Sequence, residues 1–288
     1  MRRSIILLLA LALTGIHSNA MAAASVPRTA TTDAAALKLR SSSIVVLDQP
    51  SGNILVERNP NTVTPIASIT KLMTAMVVLD AQLPLDQSIT IENADIDRLK
   101  GTHSRLPMGS RLTRNELLRL ALMSSENRAA AALVRTYPGG RSAFITAMND
   151  KAKALAMSHT RFVDSAGLSK DNVSTANDLV KMVTAAGEYR LIREFTTTVN
   201  HSVGVQGQRA ALDFRNTNGL IRGQSKDWHI VLSKTGYTAE AGRCLVMQAK
   251  IGTHPIIIVL LDSWGRLSPL GDANRIRRWM ESRNRRAG

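Results

Sequence analysis

Strand-like segments lie near both ends of the sequence, and a long helical block separates them. The runs SIVVLD (43–48) and ILVERN (54–59) flank the turn-rich segment QPSGN, a pattern that predicts a β-hairpin. Because the stretch between the two ends is mostly helical, we expect an α+β fold with an inserted helical lobe, in which strands from both termini form one antiparallel sheet. The further predicted strands are WHIVLS (228–233), RCLVMQAKI (243–251) and PIIIVLLD (255–262).

The first 24 residues have the layout of a secretory signal peptide. Two arginines, Arg2 and Arg3, precede an apolar run that is too short to span a bilayer and is followed by small residues. The pattern therefore predicts an exported, periplasmic protein. Cleavage is expected after Ala20, Ala22 or Ala24, and an uncleaved anchor is the alternative.

The remaining chain is predicted to form one domain over residues 41–286, preceded by a loose lead-in over 25–40. The sheet is expected to come from 41–60 and 226–286, and the helical lobe from about 84–225. Within that lobe, residues 113–137 are predicted as one helix, which begins at Thr113 with Glu116 at the capping-box spacing.

The formal charge of +15 raises the question of an anionic partner. Nucleic acid is not expected, because the chain carries an export signal and has neither zinc-finger spacing nor an aromatic-studded basic stripe. Weak association with a membrane surface or an anionic wall polymer fits better, beside a generally basic solvated surface. The single cysteine, Cys244, cannot form an internal disulfide, and its strand-like setting predicts a buried, inert thiol.

Ser68 and Lys71 stand three residues apart at the start of an apolar helical segment, so their side chains face the same way. A serine hydroxyl needs an adjacent base to become a nucleophile, and a lysine can serve when burial or a second cation keeps it neutral. At this place in a helix, the Ser68 amide would remain free to face an oxyanion. Ser68 and Lys71 are therefore candidate nucleophile and base.

Two later motifs add polar groups suited to the same chemistry. Ser125 and Asn127 could relay a proton and hold a substrate backbone, and the sequence places them after the run LLRLALM. The segment Lys234-Thr235-Gly236 is expected to end a strand, where it would offer a cation and a hydroxyl to a substrate carboxylate. Gly236 would let the substrate lie along the strand edge, and the amide of Tyr237 is the second candidate oxyanion donor.

The ordered set S-x-x-K, S-x-N and K-T-G is much more specific than its parts. Over residues 40–283 the sequence resembles the penicillin-recognising serine DD-peptidases, and most of all the low-molecular-mass penicillin-binding proteins of the type-7 D-alanyl-D-alanine endopeptidase group. The resemblance implies the β-lactamase/transpeptidase-like fold, an acyl-enzyme on Ser68, peptidoglycan peptide cross-links as substrate, and β-lactam antibiotics as covalent inhibitors. It implies no cofactor and no metal. In that family pattern Lys71 is the base, Ser125 relays a proton, Asn127 binds substrate and Lys234 holds the carboxylate end.

Three alternative functions compete with this prediction. A D-Ala-D-Ala carboxypeptidase would share the mechanism, but such enzymes usually carry a β-rich C-terminal domain, whereas this sequence stops soon after its last strand. A class A β-lactamase would need a deacylating glutamate, yet no Glu occurs between Arg128 and Gly187, and only Asp164 stands in the region. A non-catalytic wall-binding protein would be expected to have lost at least one motif.

Some remaining features have ordinary explanations. The six histidines show no H-E-x-x-H or comparable metal spacing, and His103 is expected on a surface loop near the cleft. The Arg-rich segment from Asp272 to Arg286 predicts a helix that packs on the sheet through Ile276, Trp279 and Met280, with docking on a membrane surface as the alternative.

Overall fold

The computed structural model describes residues 32–205, 210–223 and 228–287. The expected signal peptide lies outside these described residues, and so does most of the first half of the lead-in. The strands are β1 (Thr32–Asp33), β2 (Ser41–Asp48), β3 (Ile54–Arg58), β4 (Thr64–Pro65), β5 (Ser88–Thr90), β6 (Arg111–Thr113), β7 (Val173–Ser174), β8 (Asn200–Val203), β9 (Leu212–Arg215), β10 (His229–Thr238), β11 (Gly242–Ile251) and β12 (His254–Ser263). The helices are α1 (Thr70–Asp80), α2 (Arg114–Met123), α3 (Asn127–Arg135), α4 (Gly140–Ala154), α5 (Ala176–Ala186), α6 (Arg190–Thr197), α7 (Gly219–Arg222) and α8 (Ser268–Ala287).

The main sheet has six strands in the order β1-β3-β2-β12-β11-β10. At its centre β2 pairs antiparallel with β12, with Val45 opposite Val259, so strands from the two ends of the chain are neighbours. The predicted β2–β3 hairpin and the common sheet are confirmed. The lead-in differs from the prediction, because Thr32 and Asp33 of β1 pair with β3, and they do so in parallel.

Both faces of the sheet are covered, which is why its central strands are almost continuously apolar. Val45, Ile257 and Val259 join the core formed with the helical lobe. The alternate residues Ile44 and Ile258 join a second core with α8. Each such fully buried side chain stabilises the fold by about 1.5–3 kcal/mol, so the two cores fix the strand register.

Helix α8 packs on the sheet as predicted. Ile276 and Met280 are buried in the second core, and Trp279 is half-buried against it. Among the helices that the structure describes, none has the length and apolar character needed to cross a membrane.

The helix predicted over residues 113–137 is in fact two helices, α2 and α3. The N-terminal prediction is right, since Thr113 and Glu116 form the capping box of α2. The chain breaks at Ser124–Glu126, where Ser125 adopts a left-handed φ of +61°. The side chain of Glu126 then accepts a hydrogen bond from the Arg128 amide and caps α3. The break takes Ser125 out of the helices and leaves Asn127 as the first residue of α3.

The K-T-G segment lies inside β10 and not at its end, which corrects the expectation. The strand continues to Thr238 because β11 pairs along it as far as the pair Thr238–Gly242. Lys234 therefore lies within a regular part of the ladder between β10 and β11, and its neighbours Thr235 and Gly236 lie inside the strand. Since β10 is an edge strand, its other side is open towards α1 and the S-x-N turn.

Candidate active site

Ser68 lies on a 3₁₀ turn, Ala67–Ile69, that leads directly into α1. Ala67 has a left-handed φ of +45°, which is a strained conformation for a residue with a Cβ. The turn places the main-chain amide of Ser68 ahead of the first helical acceptor, so this amide is not used within α1. Lys71 follows on the first turn of the helix and is only 1 % exposed.

The amine of Lys71 lies among three oxygen atoms. Its Nζ is 2.9 Å from Ser68 Oγ, 2.7 Å from Asn127 Oδ1 and 2.8 Å from the carbonyl oxygen of Ala166. The amide group of Asn127 is oriented by its other end, because Nδ2 donates to Thr102 Oγ1 at 2.8 Å. Lys71 thus connects the S-x-x-K motif, the S-x-N motif and a third segment that sequence reasoning did not include.

Burial lowers the pKa of Lys71 from 10.5 to about 7, although the negative charges of Asp164, Glu126 and Asp97 act in the opposite direction. A substantial part of Lys71 is therefore neutral at neutral pH. A neutral amine has two N–H donors and one lone pair. Since the oxygens of Asn127 and Ala166 can only accept, they take both N–H groups, and the lone pair faces the hydroxyl of Ser68.

The Ala166 carbonyl is positioned by a loop that wraps around the carboxylate of Asp164. Asp164 Oδ1 accepts from the amides of Ala166, Gly167 and Leu168 at 2.7, 2.6 and 3.2 Å, and Oδ2 accepts from the Ser169 amide at 2.8 Å. The carboxylate is thereby occupied by main-chain donors. Its role here is structural: it holds the loop against the turn that carries Ser68.

Gly167 allows this loop to approach the turn that carries Ser68. Its φ is +78°, and a Cβ at this position would lie 1.8 Å from the carbonyl oxygen of Ala67. No side chain fits in that space. The close approach brings the Ala166 carbonyl to within 3.4 Å of Ser68 Oγ.

Ser125 is the second hydroxyl of the site, and Lys234 holds it in place. Lys234 Nζ lies 3.0 Å from Ser125 Oγ and 3.0 Å from the carbonyl oxygen of Thr235. Burial, with a smaller contribution from the nearby Lys71 charge, places the pKa of Lys234 well below its usual value. Lys234 is 1 % exposed, so its amine lies beneath the site floor and acts on the cleft through Ser125.

The edge of β10 faces the Ser68 turn at Gly236. A Cβ on Gly236 would lie 2.9 Å from the Ile66 carbonyl oxygen and 3.2 Å from the Ser68 amide nitrogen. Only glycine lets the strand approach Ser68 this closely. The next residue, Tyr237, projects outwards with its ring 59 % exposed, stacked under the guanidinium of Arg243.

A cleft of about 340 Å³ opens above these groups. Six of the eight predicted site residues line it, while Lys71 and Lys234 are buried. Its lining also includes Thr217, Arg243 and Arg266, which sequence reasoning missed. Thr217 accepts a 2.6 Å hydrogen bond from Thr235. The six predicted residues are Ser68, Ser125, Asn127, Thr235, Gly236 and Tyr237.

No short motif marks the missed residues. Arg266 follows β12 in the turn DSWGR, and β12 is separated from the K-T-G strand β10 by β11. A cation just after a strand of the same sheet was the one available signal. Thr217 lies close to β10 only through the fold.

Two other sequence predictions concern Cys244 and His103. Cys244 is buried, as expected, and its burial raises the pKa of the thiol to about 12. His103 is exposed on a loop beside Thr102, also as expected.

The family model described as D-alanyl-D-alanine carboxypeptidase, peptidase S11, matches residues 29–264. The chain belongs to this family. It is 50 % identical over 245 residues to the D-alanyl-D-alanine endopeptidase of Pseudomonas aeruginosa, a match that covers 85 % of this chain and 78 % of the relative. It is 46 % identical over 253 residues to the D-alanyl-D-alanine endopeptidase of Escherichia coli K12, covering 88 % and 81 %.

Solved structures of this peptidase class have the same fold. The crystal structure of the Streptomyces K15 DD-transpeptidase superimposes with a TM-score of 0.77 at 29 % identity, covering 84 % of this chain and 97 % of that one. The predicted transpeptidase-like α+β fold is therefore confirmed. Membership of the S11 family also makes this chain a serine peptidase of the D-alanyl-D-alanine class, as predicted.

Proposed function

We propose that this S11 peptidase is a DD-endopeptidase that cuts D-Ala-containing cross-links between peptidoglycan stem peptides through an acyl-enzyme. One observation carries the mechanism: Lys71 Nζ lies 2.9 Å from Ser68 Oγ while two acceptor-only oxygens occupy its N–H groups. This geometry supplies a nucleophile and its base in contact. The assignment of endopeptidase over carboxypeptidase is supported by the names of the relatives that are 50 % and 46 % identical.

In the first step Ser68 Oγ bonds to the carbonyl carbon of the D-Ala residue, and its proton passes to the lone pair of Lys71. The amides of Ser68 and Tyr237 are the proposed donors to the resulting oxyanion. When the C–N bond breaks, the proton held by Lys71 passes through the hydroxyl of Ser125, which Lys234 orients, to the leaving nitrogen, so Lys71 is neutral again. Water then attacks the Ser68 ester, Lys71 accepts its proton, and the acid product leaves as Ser68 regains its hydroxyl.

Asn127 and the edge of β10 are proposed to hold the substrate backbone, with Thr235 and Gly236 at the strand edge. The carboxylate beside the scissile bond would meet the exposed cations of the cleft, Arg243 and Arg266. Lys234, which the sequence predicted to hold this carboxylate, is buried and would act on it through Ser125. A guanidinium binds a carboxylate through two parallel hydrogen bonds, which suits this task.

β-Lactam antibiotics are proposed to acylate Ser68, and the resulting acyl-enzyme is proposed to be hydrolysed slowly. Asp164 is the acidic residue closest in sequence to the position where a class A β-lactamase has its deacylating glutamate, and its oxygens accept hydrogen bonds from four main-chain amides. We propose that this carboxylate anchors its loop and does not activate a water molecule. We further propose that the enzyme is exported to the periplasm, where its basic surface favours weak contact with an anionic wall polymer or membrane surface.

The test is digestion of purified sacculi by wild type and by Ser68→Ala, with the released muropeptides identified by mass and with fluorescent penicillin as a label. Ser51→Ala is the matched control, since Ser51 is an exposed serine in another S-x-N sequence. We expect the wild type and Ser51→Ala to convert cross-linked dimers to monomers and to be labelled, and Ser68→Ala to do neither. Labelling of Ser68→Ala would refute the mechanism, whereas intact dimers beside shortened pentapeptides would make the enzyme a carboxypeptidase.

A further inference from the structure

The leaving group distinguishes an endopeptidase from a carboxypeptidase. A carboxypeptidase releases a single amino acid, so its leaving-group site can end at the cation that holds the carboxylate. An endopeptidase releases a whole stem peptide, which must continue from the cleft onto a surface. Binding of such remote parts lowers the barrier for the reacting bond, so an enzyme specialised for cross-links gains from a built surface there.

The cleft above Ser68 does continue on one side. It reaches Arg266 and Leu270, which follow β12. Arg266 also lines a second groove of about 240 Å³, together with Leu267 and Arg40. The two depressions share this one arginine, so Arg266 marks the boundary that a peptide bound at Ser68 would cross to reach the second groove.

The turn that carries Arg266 exposes two large apolar side chains. Trp264 is 85 % exposed and Leu267 is 70 % exposed, more than any other large hydrophobic side chain among the described residues. Two such side chains within four residues, next to a catalytic cleft, are characteristic of a recognition surface more than of a solvated turn. Trp is also the residue type most often found as an energetic anchor in binding sites.

The charged side chains that line the second groove are arginines. Within the described part of the chain, the guanidinium groups of Arg40 and Arg266 have no hydrogen bond or salt bridge to the protein, and both residues are exposed. The third arginine of the groove, Arg275, is paired with Asp272. Free guanidinium groups beside exposed apolar side chains complement a peptide that carries carboxylates.

We infer that the turn 264–267 and the groove shared by Arg40 and Arg266 bind the amine-side stem peptide, the part of the cross-link that leaves in the first step. The inference rests on the proposed DD-endopeptidase function and names the surface that selects cross-links. Trp264 and Leu267 pack against the peptide, and Arg40 faces one of its carboxylates. A substrate whose leaving group is a single D-Ala ends at Arg266 and does not reach this surface.

The experiment compares kcat/KM on a purified cross-linked muropeptide dimer with kcat/KM on a monomer ending in D-Ala-D-Ala, and with the acylation rate by benzylpenicillin. The variants are the double substitution Trp264→Ala with Leu267→Ala, and Arg40→Gln. We expect each to lower kcat/KM on the dimer by about tenfold, as for loss of a binding anchor. The loss in Arg40→Gln should shrink at high salt, since salt screens the ion pair that it removes.

For the monomer and for benzylpenicillin, the rates of these variants should stay within about twofold of wild type. Val63→Ala is the matched control, because Val63 is a half-exposed apolar residue away from both grooves, and it should leave all three rates unchanged. Equal losses on dimer and monomer, or an unchanged rate on the dimer, would overturn the inference alone. If the wild type trims the monomer and binds penicillin but leaves the dimer intact, the proposed endopeptidase function fails, and the inference fails with it.

Discussion

The pH dependence of acylation is the most direct test of the chemistry proposed for Lys71. Burial lowers the pKa of this lysine from 10.5 to about 7. The protonated form is thus disfavoured by about 5 kcal/mol relative to an exposed lysine, at 1.36 kcal/mol for each pH unit. If the neutral amine is the base, the acylation rate should follow its population and rise by about tenfold between pH 6 and pH 8.

Benzylpenicillin is a suitable reporter, because its carboxylate is ionised throughout this range. The second-order rate of acylation would be measured by stopped flow from pH 5.5 to pH 9. Lys71→Arg is the matched variant, since its side chain is always charged and offers no lone pair. It should be slower than wild type by about 100-fold or more at every pH, the usual contribution of a general base.

A second variant tests the physical cause of the lowered pKa. The negative charge of Glu126 raises the pKa of Lys71, against the larger effect of burial. Glu126→Gln removes this charge, so the acid limb of the pH–rate profile should move to lower pH. An acid limb centred above pH 9 in wild type, or a shift to higher pH in Glu126→Gln, would refute the assignment of Lys71 as a buried neutral base.

The same pKa makes a prediction about stability. Between about pH 7 and pH 10.5 the unfolded chain, in which Lys71 has its ordinary pKa, binds more protons than the folded protein. The free energy of unfolding therefore rises with pH in that window, and this residue alone contributes about 2 kcal/mol of the rise from pH 7 to pH 9. In Lys71→Met that contribution should vanish, which urea unfolding at both pH values would measure.

Three further outcomes follow from the packing of the site. Gly167→Ala should destabilise the fold by about 3 kcal/mol or more, because the new Cβ would overlap the Ala67 carbonyl. The control Gly52→Ala should lower stability by about 1 kcal/mol, since its Cβ would have nothing within 4 Å. Equal melting temperatures of the two variants would contradict this prediction. Asp164→Asn should slow penicillin acylation at its high-pH plateau, since the loop loses its anchor, and should move the acid limb to lower pH; an unchanged plateau would oppose the structural role. Cys244 should react with a thiol reagent only after unfolding, and fast reaction of the native protein would argue against its burial.

The predictions that the structure confirms are those that depend on local sequence pattern, such as strand-like runs and the spacing of residues on a helix. The strand runs near both ends could be assigned from β-branched content and turn residues, and their hydrophobicity on both faces required covering layers. The spacing of Ser68 and Lys71 could be converted to a contact because helix geometry fixes it. Neither step needed the rest of the chain.

The parts that were missed depend on contacts across the fold. The Ala166 carbonyl is 95 residues from Lys71 in sequence, and its position follows from the amide cluster around Asp164. The hydrophobic periodicity of a sequence predicts helices and strands, and it does not predict the path of an irregular loop such as this one. Similarly, the left-handed Ser125 interrupts a segment rich in helix formers, and the amine of Lys234, 109 residues away, holds the turn through its contact with Ser125 Oγ.

The proposed path for the leaving peptide also accounts for the proposed difference between the two acyl-enzymes, in which the peptide ester on Ser68 is hydrolysed and the penicilloyl ester is retained. After a cross-link is cut, the amine-side peptide can depart along the surface at 264–267, and water can then approach the ester beside Lys71. When a β-lactam ring opens, the expelled nitrogen stays covalently attached to the acyl group, so it remains in the cleft between Ser68 and Arg266. The carboxylate of Asp164 is engaged by the main-chain amides of its own loop, and we propose no second base there. Deacylation would then depend on a water molecule reaching Lys71 past a leaving group that cannot leave, and we propose that this obstruction makes the antibiotic an inhibitor.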